Sequence, residues 1–188
     1  MSSTSILSKP EQTLLDNHMT FTWATAKVGW DMHCIDKSDL QMFAVHYLEF
    51  NSNLVNRYIS ELIFGVPDYE IDPLFTKIFP SLNLELPQKN SPLWNIEWRK
   101  WRFYLLTELL KNVQDPEELL MKVEGVYADF GYPEDMVSFI YYMPPENGIV
   151  DNNPEKARLH LIDKLKKFLN EEQKRIINGC DTLPHKPD

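Results

Sequence analysis

The tract 115–145 constrains the fold of this chain more than any other stretch, because it spells out where two helices begin and end. Asp115 stands where a capping carboxylate is needed, and Pro116 follows at the first helical position, where a missing N–H does no harm. Glu118, three residues after the cap, is placed to reach back to it. Gly131 can take the left-handed conformation that closes this helix, and Pro133 opens the next. Between these signals the apolar residues Leu119, Leu120, Val123, Tyr127 and Phe130 recur at helical spacing. Met136, Phe139, Ile140 and Met143 predict a further helix over 133–143, ended by Pro144-Pro145.

The same period runs through most of the chain. Over 39–50 the stripe is Leu40, Phe43, Ala44, Tyr47 and Leu48, with Ser38 and Gln41 spaced as a capping box. Over 53–64 it is Val55, Tyr58, Ile59 and Leu62, stopped by Gly65 and Pro67. Ser91-Pro92 opens a helix over 92–112 that carries Trp94, Trp98, Trp101, Leu105 and Leu109 on one side. A second stripe, Phe103, Leu106 and Leu110, widens its apolar surface, which predicts a central helix with neighbours on more than one side. Asn153 caps a last long helix from Pro154 to about Ile177, with Ala157, Leu161, Leu165, Phe168 and Leu169 facing inward. Lys174 and Arg175 suit its C-terminal dipole.

The stretch 66–90 breaks the pattern. Pro67, Pro73, Pro80 and Pro87 divide it into short pieces with one or two helical turns at most, and Leu82, Leu84 and Leu86 alternate at strand spacing without a pairing partner. The expected fold is all-α: one compact domain over 1–188, of roughly seven helices packed as hairpins. An N-terminal helical layer over about 10–65 and a C-terminal layer over 91–178 would be joined by the proline-rich connection 66–90, with a mobile tail at 179–188.

Composition narrows the function classes. A hydrophobic content of 43% supports a real core and excludes a disordered chain. Two cysteines, Cys34 and Cys180, are too few for a disulfide scaffold and are expected as reduced thiols. No apolar run is long enough to span a bilayer, and the start Met1-Ser2-Ser3-Thr4-Ser5-Ile6-Leu7 lacks a basic flank, so a soluble cytoplasmic protein without membrane contact is expected. A net charge of −9 repels phosphate backbones and argues against nucleic acid. Its positive reading is a basic partner; its plain reading is solubility.

Catalytic signatures do not emerge. The histidines His18, His33, His46, His160 and His185 show no zinc-type helical pair, and His33 beside Cys34 diverges from it on a helix. There is no nucleophile elbow and no phosphate loop, and Asp129-Phe130-Gly131 stands without any other kinase element. No cofactor and no resident metal are expected. The acids Asp115, Glu117, Glu118, Glu124, Asp129, Glu134 and Asp135 form the one cluster of note, opposed within it only by Lys122. Helix starts account for several of them, an acidic face for a basic partner for others, and a divalent-metal hydrolase site built on Asp129, Glu134 and Asp135 is a third reading. Trp94, Trp98 and Trp101 read as core rather than as a ligand groove. Tyr141 and Tyr142 precede the double proline, and one of them must face away from the Met136–Met143 stripe.

The tract Val126-Tyr127-Ala128-Asp129-Phe130-Gly131-Tyr132-Pro133-Glu134-Asp135-Met136, followed by Tyr142-Met143-Pro144-Pro145, resembles a bacterial family catalogued as domain of unknown function 2247. The Trp101-Arg102 helix and the Asp115-Pro116 start are similar as well, and the central tract is the distinctive part. The resemblance implies a bacterial cytoplasmic protein and supplies no activity. Small acidic bacterial proteins of this kind look similar to immunity proteins, an analogy of class rather than of motif. The expected function is therefore a non-catalytic partner-binding protein, in its specific form an immunity protein that neutralises a basic toxin. Glu117, Glu124, Asp129, Glu134 and Asp135 would steer that partner, and Tyr132 or Tyr141 would anchor it. The alternatives are the metal-dependent hydrolase using the 115–135 carboxylates and a housekeeping helical adaptor.

Overall fold

Residues 7–143 and 153–179 are described by the computed structural model, and among them every regular element is helical, with no strand. Pro144, Pro145, Cys180, His185 and the tail from 180 onward lie outside the described residues. Eight α-helices follow in order: α1 (Lys9–Asp16), α2 (Trp23–Asp31), α3 (Lys37–Phe50), α4 (Arg57–Phe64), α5 (Asp68–Ser81), α6 (Pro92–Asn112), α7 (Pro116–Asp129) and α8 (Pro154–Ile177). A 3₁₀ helix, Glu134–Phe139, stands between α7 and α8. No described helix is long and apolar enough to cross a membrane. The chain divides into two compact units, one through Trp101 and one from Arg102, so the boundary lies within α6.

The first unit contains the main departure from the sequence reading. The stretch 66–90 is not an irregular connection: α5 occupies Asp68–Ser81 with Pro73 and Pro80 inside it. Ile71, Leu74, Phe75, Ile78 and Phe79 are all buried, which is the spacing of one helical face. Both prolines fall on the opposite, exposed face, where the carbonyls they leave without an N–H donor turn toward water. An interior proline costs about 3 kcal/mol, whereas burying five large apolar side chains contributes on the order of 10 kcal/mol. Burial wins. Leu82 then caps α5, and Leu84 is exposed rather than part of a strand.

Other boundaries shift by a residue or two. The cap of α3 is Asp36, in a reciprocal capping box with Asp39, instead of Ser38 with Gln41. Gln41 donates to the carbonyls of Leu62 and Ile63 at 3.1 and 3.3 Å, tying α3 to the end of α4. Asn56 caps α4, so Val55 precedes the helix and is 97% exposed instead of joining its inner stripe. Val55 and Phe64 line a shallow depression beside α4 with Arg57, Glu61, Gly65 and Val66. α4 packs against both α3 and α5.

The core of this unit is aromatic. Trp23 meets Phe43 at 4.9 Å and Tyr47 at 5.4 Å, both edge-on, and Phe21 meets Trp101 edge-on at 5.9 Å. Trp101 lies over α2: its indole N–H donates to the Thr25 carbonyl at 2.8 Å, one helical turn before Gly29. A methyl group at Gly29 would stand 2.2 Å from Cζ2 of that ring. The close crossing therefore requires a residue with no side chain. Buried charge on α6 is answered locally: Lys100 donates to Glu97 at 3.0 Å and to the Thr20 carbonyl at 3.1 Å, and the Thr25 hydroxyl donates to Glu97 at 2.7 Å. On α1, Glu11 is buried against His46 of α3. Burial raises the Glu11 carboxyl above its ordinary value of 4.5, although the hydrogen bond and charge of His46 pull the other way.

In the second unit α8 packs against α7 and the 3₁₀ helix. Arg102 is fully buried and forks onto both oxygens of Asp135 at 2.7 Å each, while the same guanidinium donates to the buried Glu172 of α8 at 2.9 Å. Its guanidinium carbon lies 5.1 Å from the centre of the Phe168 ring. On α8 the expected inward residues Leu165, Phe168 and Leu169 are buried and Ala157 and Leu161 half-buried, and Ile162, Glu172 and Ile176 join the buried face. The 133–143 segment is shorter than the expected helix and 3₁₀ in character, because Asp135 must reach Arg102 while Met136 and Phe139 enter the core.

Three stability outcomes follow from these contacts. Gly29→Ala should lower the unfolding free energy by about 1–3 kcal/mol, read as a lower urea midpoint at unchanged slope. Arg102→Met should cost about 3–5 kcal/mol, because it leaves two buried carboxylates without their cation. Glu11, with its folded-state pKa raised, favours the fold below its ordinary value of 4.5, and that contribution is lost as pH rises through the folded-state value. The stability of Glu11→Gln relative to the natural chain should therefore improve as pH is raised from about 4.5; a pH-independent difference would contradict the assignment.

Candidate functional site

The acids singled out in the sequence lie on α7 and the turn that follows it, and the structure sorts them by what each touches. At the start of α7 the Asp115 carboxylate accepts from the Glu118 N–H at 2.8 Å, as its spacing predicts. Glu118 pairs with Lys122 at 2.8 Å along the helix, and Glu117 with Arg158 of α8 at 2.7 Å. These pairs are exposed and contribute little to stability. Glu117 nevertheless remains 74% exposed as a side chain.

Asp135 is different. Its carboxylate is held by the buried Arg102, so it is a structural group and not a member of an acidic surface. Among the described residues no group of three or more His, Cys, Asp or Glu is gathered to hold a metal ion, and Asp129, Glu134 and Asp135 do not converge on one. Glu134 is exposed at the start of the 3₁₀ helix.

Glu124 and Asp129 occupy the second half of α7, and among the described residues neither is paired with a cation. Glu124 is half-buried, and burial raises its carboxyl above the ordinary range. Asp129 is the exposed last residue of the helix.

The helix closes as its sequence predicts. The Gly131 N–H donates to the Ala128 carbonyl at 3.0 Å and the Tyr132 N–H to the Tyr127 carbonyl at 2.9 Å, the paired bonds of a Schellman stop. Gly131 takes φ 74° with open space around it, and Tyr132 follows at φ 61°. A left-handed tyrosine is uncommon and costs roughly 1 kcal/mol. It sets the Tyr132 ring edge-on against Tyr127, with centroids 5.3 Å apart.

Tyr141 and Tyr142 both stand exposed beyond the 3₁₀ helix. Partial desolvation, and then the neighbouring Tyr127, Glu124 and Tyr132, raise the Tyr142 phenol above its ordinary value. Tyr127 is buried, whereas Tyr132 and Tyr142 are respectively 60% and 56% exposed. Tyr141 is 51% exposed, one residue earlier. Tyr127 and Tyr142 were absent from the expected contact set. The signal for Tyr142 lay in the Tyr141-Tyr142 pair: both rings are exposed, so the outward tyrosine expected there describes Tyr141 and its neighbour alike.

The tryptophans fall as expected for core: Trp94 and Trp101 are buried and Trp98 half-buried. Cys34 is half-buried, with its thiol 3.7 Å from the Met32 carbonyl.

No curated protein and no solved structure matches the chain. A family model does match, over residues 12–173, which takes in both units and the whole of the acid- and tyrosine-bearing tract. The chain belongs to the bacterial family described as uncharacterized protein conserved in bacteria, domain of unknown function 2247.

Proposed function

We propose that this protein is a non-catalytic binder of a basic protein, and that the second half of α7 with the turn after it is the docking face. One observation carries the reading. Asp129 ends α7, where the helix dipole disfavours negative charge and the last turn holds no basic residue to offset it, and Glu124, nearer the middle of the helix, is half-buried with its carboxyl desolvated. Acids at the opposite end of the helix have an evident local role; these two have none within the described residues. A cation supplied by a partner would relieve both. Glu117 and Glu134, both exposed, extend the same charge, and the exposed rings of Tyr132 and Tyr142 provide contact area at small entropic cost.

In its specific form this is an immunity protein that covers a basic toxin, a role that needs a stable core and an acidic face and no chemistry of its own. The overall charge of −9 supports long-range steering of such a partner. The cytoplasm is the compartment that suits this role.

The test is co-purification with the product of the neighbouring gene. A complex with a basic protein should form at about 0.05 M salt and weaken steeply by about 0.5 M. The double variant Glu124→Lys with Asp129→Lys should weaken it at least about tenfold through like-charge contact. Failure to bind any basic neighbour at low salt, or indifference to the double charge reversal, would overturn the proposal.

A further inference from the structure

We infer that the exposed face of α4 joins two copies of this chain about a two-fold axis. Phe50, Val55, Phe64 and Tyr69 are each more than three-quarters exposed, and no other large apolar or aromatic side chain among the described residues is as exposed. All four fall between residues 50 and 69, from the end of α3 to the start of α5. Apolar area gathered in this way marks an interaction surface, because covering it removes it from water. Arg57, Glu61 and Phe64 stand four and three residues apart and so form one stripe of α4. Together with Val55 and Ser60 they line a single shallow depression.

This face is complementary to itself. An axis crossing α4 near Ser60 would set Arg57 of one protomer opposite the partner's Glu61, and Val55 opposite the partner's Phe64. Both pairings belong to one antiparallel register, so a single axis makes two ion pairs and two apolar contacts together. Within one copy the same charges go unused. Neither Arg57 nor Glu61 pairs with an opposite charge among the described residues, and arginine before glutamate is the weaker order for a pair one turn apart. The Arg57 guanidinium carbon lies instead 4.6 Å from the centre of the Tyr58 ring, which holds it against the helix. Ser60 is small enough for two helices to approach closely at the axis. Its hydroxyl already donates to the Asn56 carbonyl at 3.1 Å, so covering it strands no polar group. A basic partner would meet one acid here beside one arginine, and an anionic surface would meet a single cation; a second copy answers every group on the face. The surface lies in the first unit and does not depend on the docking face of α7.

Sedimentation velocity of the full chain, from about 1 μM to about 500 μM at about 0.15 M salt, is the test. The mass should rise with concentration from 22.2 kDa toward twice that value. Phe64→Ser should hold the chain at the single-copy mass throughout, with an unchanged thermal midpoint because the ring is exposed in one copy. Arg57→Glu and Glu61→Arg should each weaken association at least about tenfold, since each sets like charges opposite one another across the axis. Mixed in equal amounts, these two variants should associate with each other, because opposite charges then face at both pairs. A single-copy mass at every concentration would overturn the inference. So would a dimer indifferent to Phe64→Ser and to both charge reversals, which would put self-association on another face. Failure of the mixed variants to associate would overturn the two-fold pairing. A basic protein that binds the single-copy chain and is lost on Phe64→Ser would assign the face to that protein and overturn the inference as well.

Discussion

The second unit is organised around the charge of Arg102. A guanidinium cannot shed its proton to ease burial, so a fully enclosed arginine must be met by carboxylates in the right places. Asp135 supplies both oxygens in the planar fork, Glu172 a third, and the Phe168 ring covers the face. These partners come from the 3₁₀ helix and α8, so one side chain of α6 fixes the placement of both. Apolar residues of equal volume could hold these elements with similar stability. They could not specify register as narrowly, because a one-residue slip of α8 would move Glu172 away and leave charge buried without an answer.

That arrangement explains why part of the acidic tract was misread from sequence. Asp135 is indistinguishable from Glu134 in composition, and its helix-start position gave it a sufficient local reason. Only the distant Arg102 and Glu172 assign it to the interior, and such pairings across 33 and 70 residues leave no local trace. The same holds for Glu97 and Lys100, charged residues that a stripe of tryptophans invites one to place on an outer face. Buried charge is the part of this fold that periodicity cannot show, because the pattern counts apolar residues and is silent on polar groups satisfied inside.

Local grammar, by contrast, was legible wherever the cap, the first turn and the stop agreed. α6, α7 and α8 begin at the prolines and capping residues that announce them, since the Ser91, Asp115 and Asn153 side chains each bond an N–H two or three residues away. α5 fails the same test because two levels of signal conflict. Pro73 and Pro80 oppose the helix by local chemistry, while Ile71, Leu74, Phe75, Ile78 and Phe79 support it by burial. The prolines sit seven residues apart, two turns, and thus on one solvent face, so the conflict was resolvable in favour of a helix from spacing alone. At the candidate site the helix stop at Gly131 was readable. The exposure of both Tyr141 and Tyr142 was not, because the 3₁₀ helix ends at Phe139 and no helical face continues past it.

Sorting the acids of α7 by position along the helix separates structure from surface function more sharply than counting them. Asp115, Glu117 and Glu118 lie where backbone N–H groups and the dipole favour negative charge, and each has a bonding partner in place. Asp129 lies at the opposite end, where the same dipole makes negative charge unfavourable by roughly 0.3–1 kcal/mol, and Glu124, nearer the middle, is half-buried with its carboxyl desolvated. The left-handed Tyr132 adds a cost of similar size in the next turn. A fold selected only for stability would place lysine, asparagine or glycine at such positions. Glu124, Asp129 and Tyr132 thus each carry a local cost, all within nine residues, that the packing of α7 does not explain. The folding problem is solved on the buried side of α7 by Leu119, Leu120, Val123 and Tyr127, which leaves the end of the helix free to carry that cost.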